Sequence, residues 1–260
     1  MNSDLPRMTI VTPSLNQGRF IEETIRSVLT QGYANLEYII ADGGSTDNTI
    51  EVLRKYSDRV LWYSKKDAGQ TNAINNALRM ASGEIIGYLN ADDLLLPDSL
   101  LLIAKTFAGH PDVQWLTGRC KIIAEDGKDI RSIISSYKNL LLYSRSYHVL
   151  LVTNYISQPA TFWRRGLQER CGFLDESLQF VMDYEYWLRM WKSRAPFVLH
   201  KDLAAFRIQR NSKTTSSGHL DRYIEEERRI ISSHTRSKAW LFLHDAHRLL
   251  MTKIYTLINR

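Results

Sequence analysis

The 260-residue sequence predicts an α/β fold: a first half on a mostly parallel mixed sheet, then an α+β half, then a C-terminal helical extension. Two observations lead there. Short apolar, β-branched runs alternate with amphipathic helical stretches through the first half, which is the order of βαβ units. The composition, 44% hydrophobic and 24% charged, is that of a chain able to bury a core, and it excludes wholesale disorder.

The elements follow in order. Met8–Thr12 is a first strand, ended by Pro13. Phe20–Thr30 sets Ile21, Ile25 and Val28 on one helical face. Leu36–Ala41 is a second strand, broken by Asp42-Gly43-Gly44. Ser45, Thr46 and Asp47 are capping types ahead of a helix over Thr49–Tyr56. Val60–Tyr63 is a third strand, Thr71–Met80 a helix ending near Gly83, and Glu84–Leu89 a fourth strand. Ligands on parallel sheets bind beyond the carboxyl ends of the strands, so the loops Thr12–Arg19, Asp42–Asp47 and Asn90–Asp93 are the ones to inspect.

The second half changes character. Val113–Leu116 and Lys121–Ile123 read as strands, and Glu125-Asp126-Gly127 as a turn into a further strand, Asp129–Ile134, making a hairpin. Ser135–Ile156 is compatible with a helix over a site. Asp183–Trp191 is a helix, Phe197–Ile208 includes a strand, Asn211–Gly218 is polar and mobile, and His219–Arg260 is one or two helices. The domain reading is a body over 1–218, divided near 115 and 116, with a basic amphipathic tail over 219–260.

Composition bounds the setting. Two cysteines, Cys120 and Cys171, make neither a disulfide framework nor a four-cysteine zinc site, so a reducing cytoplasm is the simplest compartment. No apolar run approaches the ~18 residues of a spanning helix, and the N-terminal stretch does not read as a signal peptide. The net charge is +6, which raises nucleic acid as a partner. Residues 228–260 hold seven bases and one acid, so the whole excess sits there and the body is neutral.

Several residue groups are candidates for chemistry. Asn90-Ala91-Asp92-Asp93 follows a strand. Carboxylates there suit Mg²⁺ or Mn²⁺, which complete their shells with phosphate oxygens and water; the same run also reads as a polar turn capping the next helix. Asp42, ahead of two glycines, would accept from a base or ribose, or merely close a strand-to-helix turn. Asp67 and Gln70 would bind ribose or base, or form a charged, capped loop. Asp183 stands at a helix start, where an anion is stabilised, as suits a general base; its aromatic neighbours, Trp187 among them, would stack on sugar or fill core. Arg207 and Gln209–Thr215 carry cations and hydroxyls able to hold phosphate. Neither GxGxxG, a P-loop, HExxH nor GxSxG is present.

The order and spacing of these groups are more specific than any one of them. The chain resembles glycosyltransferase family 2, inverting nucleotide-sugar enzymes of the GT-A fold, over about residues 8–215. The stretches that carry the resemblance are Ile10–Asn16, Ile21–Gln31, Asp42–Asp47, Asp67–Gln70, Ser82–Ile86, Asn90–Asp93, Gln158–Phe162, Gly172–Glu176 and Asp183–Arg189.

The resemblance implies that Thr12, Pro13, Asn16, Asp42, Asp67, Gln70, Asn90, Ala91 and Asp92 hold the nucleotide. It further implies that Asp92 binds the divalent cation and that Asp183 is the base of a single inverting displacement. Gln158, Trp187, Arg207 and Gln209 would contact acceptor or phosphate. Three positions depart from the family pattern. Asn90 opens the Asp-X-Asp position, Gly43 stands where a second aspartate often follows Asp42, and Gln209 replaces a late histidine.

The expected partners are a UDP- or dTDP-linked sugar, a glycan or lipid-linked acceptor, a homodimer partner, and an anionic membrane surface under residues 228–260. In that helix Leu243, Ala246, Leu250, Ile254 and Leu257 fall at helical spacing; packing on the catalytic domain or a partner is the alternative. The enzyme would sit in the cytoplasm, peripheral on the membrane's inner face, and make surface polysaccharide or lipopolysaccharide-type glycan. A catalytically silent sugar-nucleotide-binding or scaffold subunit is the competing reading, motivated by Asn90 and Gln209. No nucleic-acid motif is present.

Overall fold

The computed structural model describes residues 5–130, 132–209 and 220–258. The strands are β1 (Met8–Ser14), β2 (Leu36–Asp42), β3 (Leu61–Ser64), β4 (Ile85–Tyr88), β5 (Leu94–Leu95), β6 (Trp115–Ile123), β7 (Thr161–Arg164) and β8 (Phe197–Arg207). The helices are α1 (Ile21–Leu29), α2 (Thr49–Arg54), α3 (Gln70–Met80), α4 (Ser99–Gly109), α5 (Ser132–Ser144), α6 (Tyr147–Val152), α7 (Arg165–Cys171), α8 (Met182–Ser193), α9 (Leu220–His234) and α10 (Lys238–Ile258).

The strands form one mixed sheet in the order β3-β2-β1-β4-β7-β6-β8-β5. β1 pairs in parallel with β2 and β4, and β2 with β3, while β7 runs antiparallel to β4 and β6. This is the GT-A arrangement that the sequence implied. The chain winds outward from β1 through β2 to β3, then returns to the other side of β1 with β4. A crevice therefore opens beyond the carboxyl ends of β1 and β4, where the loops of both halves meet.

Both faces of the sheet are covered, which is why β1 is buried throughout. Side chains still alternate between two cores. Ile10 and Ile40 face α1, α2 and α4 with Ile21, Ile25, Val28, Val52, Leu53 and Phe107. Val11 and Ile39 face α3 and the later helices with Ile74, Trp115, Trp163, Trp187 and Ile230.

Two expectations are corrected. The hairpin stops at its turn: Gly127 adopts φ +81° and Ile123 bridges Asp129, but no strand follows. The chain instead enters α5, which packs on β6 and buries Ile134 and Leu142; tertiary burial overrides the β-branched run Ile130, Ile133 and Ile134. The two short strands read over Val113–Ile123 are one, β6, with register shifts on β8 around Arg119. A Cβ at Gly118 would lie 2.5 Å from Leu203, so that position needs glycine.

Residues 219–260 form two helices as far as they are described, and Asn211–Gly218 lies outside the described residues. α9 buries Ile230 and Ile231 in the core, and its Glu226 accepts from the backbone N–H groups of Gln179 and Phe180. α10 lies on α6. No helix among the described residues is long and apolar enough to cross a membrane.

Gly87 lies opposite Phe162 across the β4–β7 pair, and a Cβ there would stand 2.5 Å from the ring. Gly87→Ala is expected to destabilise the fold by about 1–3 kcal/mol through overpacking. Urea denaturation with an unchanged m-value would register it.

Candidate active site

The crevice is built from the ends of four strands. After β1 the chain turns at Asn16, a non-glycine residue at φ +52°. Asn16 Oδ1 accepts from Thr46 N at 2.8 Å, and Ser45 Oγ accepts from Asn16 N at 2.7 Å. Asp47 accepts from Gly18 N and Thr49 N, both at 2.9 Å. These bonds knit the loops after β1 and β2 into a single rim. The Thr12 hydroxyl is buried against the Tyr38 hydroxyl, 3.0 Å away, and Pro13 is buried beside Ala41, so both support the rim from beneath.

Asp42 closes β2 and is almost fully buried. Its Oδ2 accepts from Gly44 N, Ser45 N and Ser64 Oγ at 2.6–3.0 Å, and Oδ1 from Ser45 Oγ. Gly44 takes φ +87°, a backbone state that favours glycine. Asp42 and Asp67 line one cleft of about 360 Å³, with Tyr63, Lys65, Lys66, Asn72 and Asn76. A Cβ at residue 43 would lie 2.6 Å from Asp67 Oδ2, so Gly43 leaves the space that the Asp67 carboxylate fills. The second carboxylate of the cleft thus comes from the loop after β3. The buried Tyr63 hydroxyl has no hydrogen-bond partner among the described residues, and burial with the charge of Asp67 raises its pKa. Two acceptors, two amides and a phenol facing one cleft suit a polar planar ligand with hydroxyls.

The loop after β4 is a hydrogen-bonded chain. Gln70 Nε2 donates to Asn90 Oδ1 at 2.8 Å. Asn90 Nδ2 donates to Asp93 Oδ2 at 3.1 Å and Gln158 Oε1 at 3.3 Å, and Gln158 Nε2 to Tyr88 O. Ala91 is buried in the core beneath. Gln209 Nε2 donates to Asp92 Oδ2 at 2.6 Å. Burial raises the pKa of Asp92, and burial with the charge of Asp92 raises that of Asp93 much further. Neither residue caps α4; Asp98 precedes that helix at φ +63° without a side-chain cap bond.

Arg207, 1% exposed, fixes this loop. Its N–H donates to Asp93 Oδ1 at 2.9 Å, its Nε to Asp92 O at 2.8 Å, and Nη1 to Glu125 O at 2.9 Å. Its Nη2 meets Glu23 Oε2 at 2.6 Å, and the guanidinium lies over Phe20. Such a residue supports the site from behind instead of meeting phosphate. Trp187 likewise lies wholly in the core, stacked on Trp115 at 6.0 Å, which leaves no face for a sugar.

Asp183 opens α8, its Oδ1 accepting from Tyr184 N at 2.7 Å. Burial raises its pKa despite that bond, the charge of Lys138 and a bond from Asn154. The helix N-terminus was expected to hold this carboxylate as an anion; desolvation outweighs it. Asp183 and Asp93 both act electrostatically on Tyr88, at the end of β4. This common neighbour joins Asp183 to the Asn90–Asp93 loop from the other half of the chain. Sequence reasoning missed Lys138 and Asn154, which flank Asp183 from α5 and the segment after α6. No spacing signals them, since only the folding of α5 over the sheet brings them there.

No group of three or more histidine, cysteine or acidic side chains fit to hold a metal exists among the described residues. What is present is the Asp92 carboxylate, which accepts from Gln209 Nε2, beside Asp93, which accepts from Asn90 Nδ2. That set fits Mg²⁺ or Mn²⁺, which bind through one or two carboxylates and otherwise through substrate phosphates.

A mixed sheet with paired carboxylates beyond β2 and β3, an Asn-Ala-Asp-Asp loop beyond β4 and a half-buried aspartate at the facing helix is the arrangement implied by the resemblance to GT-A glycosyltransferases. The chain belongs to glycosyl transferase family 2, whose pattern matches residues 9–170. It is 26% identical over 226 residues to the GalNAc(5)-diNAcBac-PP-undecaprenol beta-1,3-glucosyltransferase of Campylobacter jejuni, covering 84% of this chain and 70% of that protein. It is 30% identical over 191 residues to the chondroitin synthase of Escherichia coli, covering 72% of this chain but only 26% of that protein. In fold it is similar to S. aureus TarS 1-349 in complex with UDP-GlcNAc, at TM-score 0.66 and 19% identity over 88% of this chain and 66% of that one. The Pyrobaculum calidifontis mannosyltransferase PcManGT, in complex with GDP-Man and Mn²⁺, matches at TM-score 0.65 and 18% identity over 100% of this chain and 82% of that one.

Arg207→Met would leave the carbonyls of Asp92 and Glu125 without their donor and strand the Asp92–Asp93 loop. A loss of about 1–3 kcal/mol for each buried carbonyl left unsatisfied is expected, read as a lowered denaturation midpoint.

Proposed function

We propose that the protein transfers a sugar from a UDP- or dTDP-linked donor to a hydroxyl of a glycan or lipid-linked acceptor, with inversion at the anomeric carbon, in surface polysaccharide or lipopolysaccharide-type synthesis. The observation that carries this reading is the placement of three features beyond the strand ends: the Asp42–Asp67 cleft, the Asn90–Asp93 loop that Gln70 ties to α3, and Asp183, which shares Tyr88 as a neighbour with Asp93. The relatives named above, which act on undecaprenol-linked or polysaccharide substrates by their names, and the UDP-sugar complex of TarS support the donor and acceptor classes.

In this reading base and ribose occupy the cleft lined by Asp42, Asp67 and Tyr63. Asn16 shapes its rim. Gln70 and Asn90 hold the loop that faces the diphosphate. Asp92, with the neighbouring amides of Asn90 and Gln209, would hold a divalent cation. When bound, that cation neutralises charge on the departing diphosphate. Asp183 accepts the proton of the acceptor hydroxyl, whose oxygen attacks the anomeric carbon opposite the leaving group. Gln158 keeps Asn90 oriented from below.

A base must be deprotonated, and a raised pKa brings Asp183 nearer to the working pH, where proton acceptance is most effective. Asp183→Asn is expected to lower kcat by about 10²–10⁴-fold with nucleotide binding retained. Undiminished turnover would remove Asp183 as the base and favour another residue.

The acid limb of kcat/KM should fall above the ordinary aspartate range, because activity is lost as pH drops through the raised pKa of Asp183. Lys138 opposes that rise, so Lys138→Met should move the limb to still higher pH. A pH–rate profile of the two proteins reads the shift, and movement the other way would contradict the assignment.

Nucleotide sugars should stabilise the fold by ~2.7 kcal/mol at 100 times their dissociation constant, more so with Mn²⁺. Gln209, bonded to Asp92 where the family carries a histidine, favours the alternative of a silent sugar-nucleotide-binding subunit. Stabilisation by donor with no hydrolysis or transfer in the presence of Mn²⁺ would support that alternative.

A further inference from the structure

α10 is mounted with its amphipathic character reversed. Its inward side carries His244, which is buried, with Asp245, His247 and Arg248 part-buried, alongside Trp240 and Leu241 at the start of the helix. His244 Nδ1 donates to Val152 O at 3.1 Å, His247 Nε2 is hydrogen-bonded to the Tyr137 hydroxyl at 2.8 Å, and Arg248 meets Asp245 at 3.2 Å. Arg248 Nη1 is buried without a hydrogen-bond partner among the described residues, and His244 Nε2 has only Glu227 Oε2, 3.6 Å away, a cost that an apolar inward face would avoid.

The outward side is apolar. Phe242 is 70% exposed, Leu249 62%, Leu250 56% and Leu243 44%, with Ala239 and Ala246 exposed between them. At 100° per residue these positions share one arc of the helix. A run of large apolar side chains turned to water is unfavourable unless something covers it.

The charges around the arc select the cover. Lys253 lies within it, exposed Lys238 and Arg236 stand at its N-terminal end, and it contains no acid. The nearest acid on the helix, Asp245, is turned inward and paired with Arg228 and Arg248. A second copy docked by a twofold axis would set these bases against one another. Anionic lipid headgroups would neutralise them while acyl chains receive the leucines and phenylalanine.

We propose that α10 is an interfacial helix that lies flat on an anionic membrane through Phe242, Leu243, Leu249 and Leu250. Its 21 residues span about 32 Å, enough for that face to lie in the headgroup plane without crossing it. The helix is tied through Tyr137 and His247 to α5, which carries Lys138 beside Asp183. The inference stands on the surface alone and holds whether or not the transfer chemistry is as proposed.

The full chain should float with vesicles of phosphatidylglycerol and phosphatidylcholine, and about tenfold less with phosphatidylcholine alone. Phe242→Glu with Leu249→Glu should abolish flotation while leaving the melting temperature unchanged, because both side chains are exposed. Lys238→Glu with Lys253→Glu should weaken binding to the anionic vesicles about tenfold or more and leave the weak binding to neutral ones unchanged. Absence of flotation on anionic vesicles would overturn the proposal, as would flotation indifferent to both double variants. A dimer in light scattering that Phe242→Glu dissociates, with no vesicle binding, would overturn it in favour of a second copy.

Discussion

Arg207 carries a permanent charge into the interior, and the architecture of the crevice is arranged around satisfying it. The guanidinium draws together the carbonyl ends of two loops, the Asp92–Asp93 turn and the turn after β6, and pairs with Glu23 on α1. A buried cation tolerates no vacancy among its acceptors, since each missing bond leaves charge without solvation. The loop after β4 is therefore held by a residue far along the chain on β8, and the two halves of the protein cannot shift independently at the site.

Around that anchor, burial does most of the chemical tuning. Asp92, Asp93 and Asp183 all have raised pKa values, and desolvation is the leading cause for each. Asp92 and Asp93 are adjacent carboxylates that repel, which a cation at Asp92 would relieve. Asp42, almost fully buried, accepts four hydrogen bonds within the protein, and so serves first as the organiser of a cleft wall.

The C-terminal helices show the same competition between local pattern and tertiary demand. The bases that give the chain its net charge of +6 lie in this segment, yet α9 contributes Ile230 and Ile231 to the main core. α10 then turns His244 and His247 inward beside Trp240 and Leu241, and Phe242, Leu243, Leu249 and Leu250 outward, an outer face that the hydrophobic effect does not choose for a helix surrounded by water.

The sequence by itself determined the sheet's first half, because βαβ units carry their signal locally in period-two runs, helical stripes and the loops between them. The first four strands, α1 and α3 fall where the pattern sets them, and the motif order alone points to the family. The positions of Asp42, Asp67, Asn90, Asp92 and Asp183 could be read as candidates for the same reason. Only the tertiary structure decided what each does. Trp187 is core because Trp115 stacks on it, and Arg207 is an anchor because Asp92, Glu125 and Glu23 surround it. α5 replaces a predicted strand because its burial on β6 outweighs the preference of isolated isoleucines, and that helix alone brings Lys138 to Asp183. Burial and electrostatic neighbourhood belong to contacts between residues distant in sequence, which no local pattern can encode.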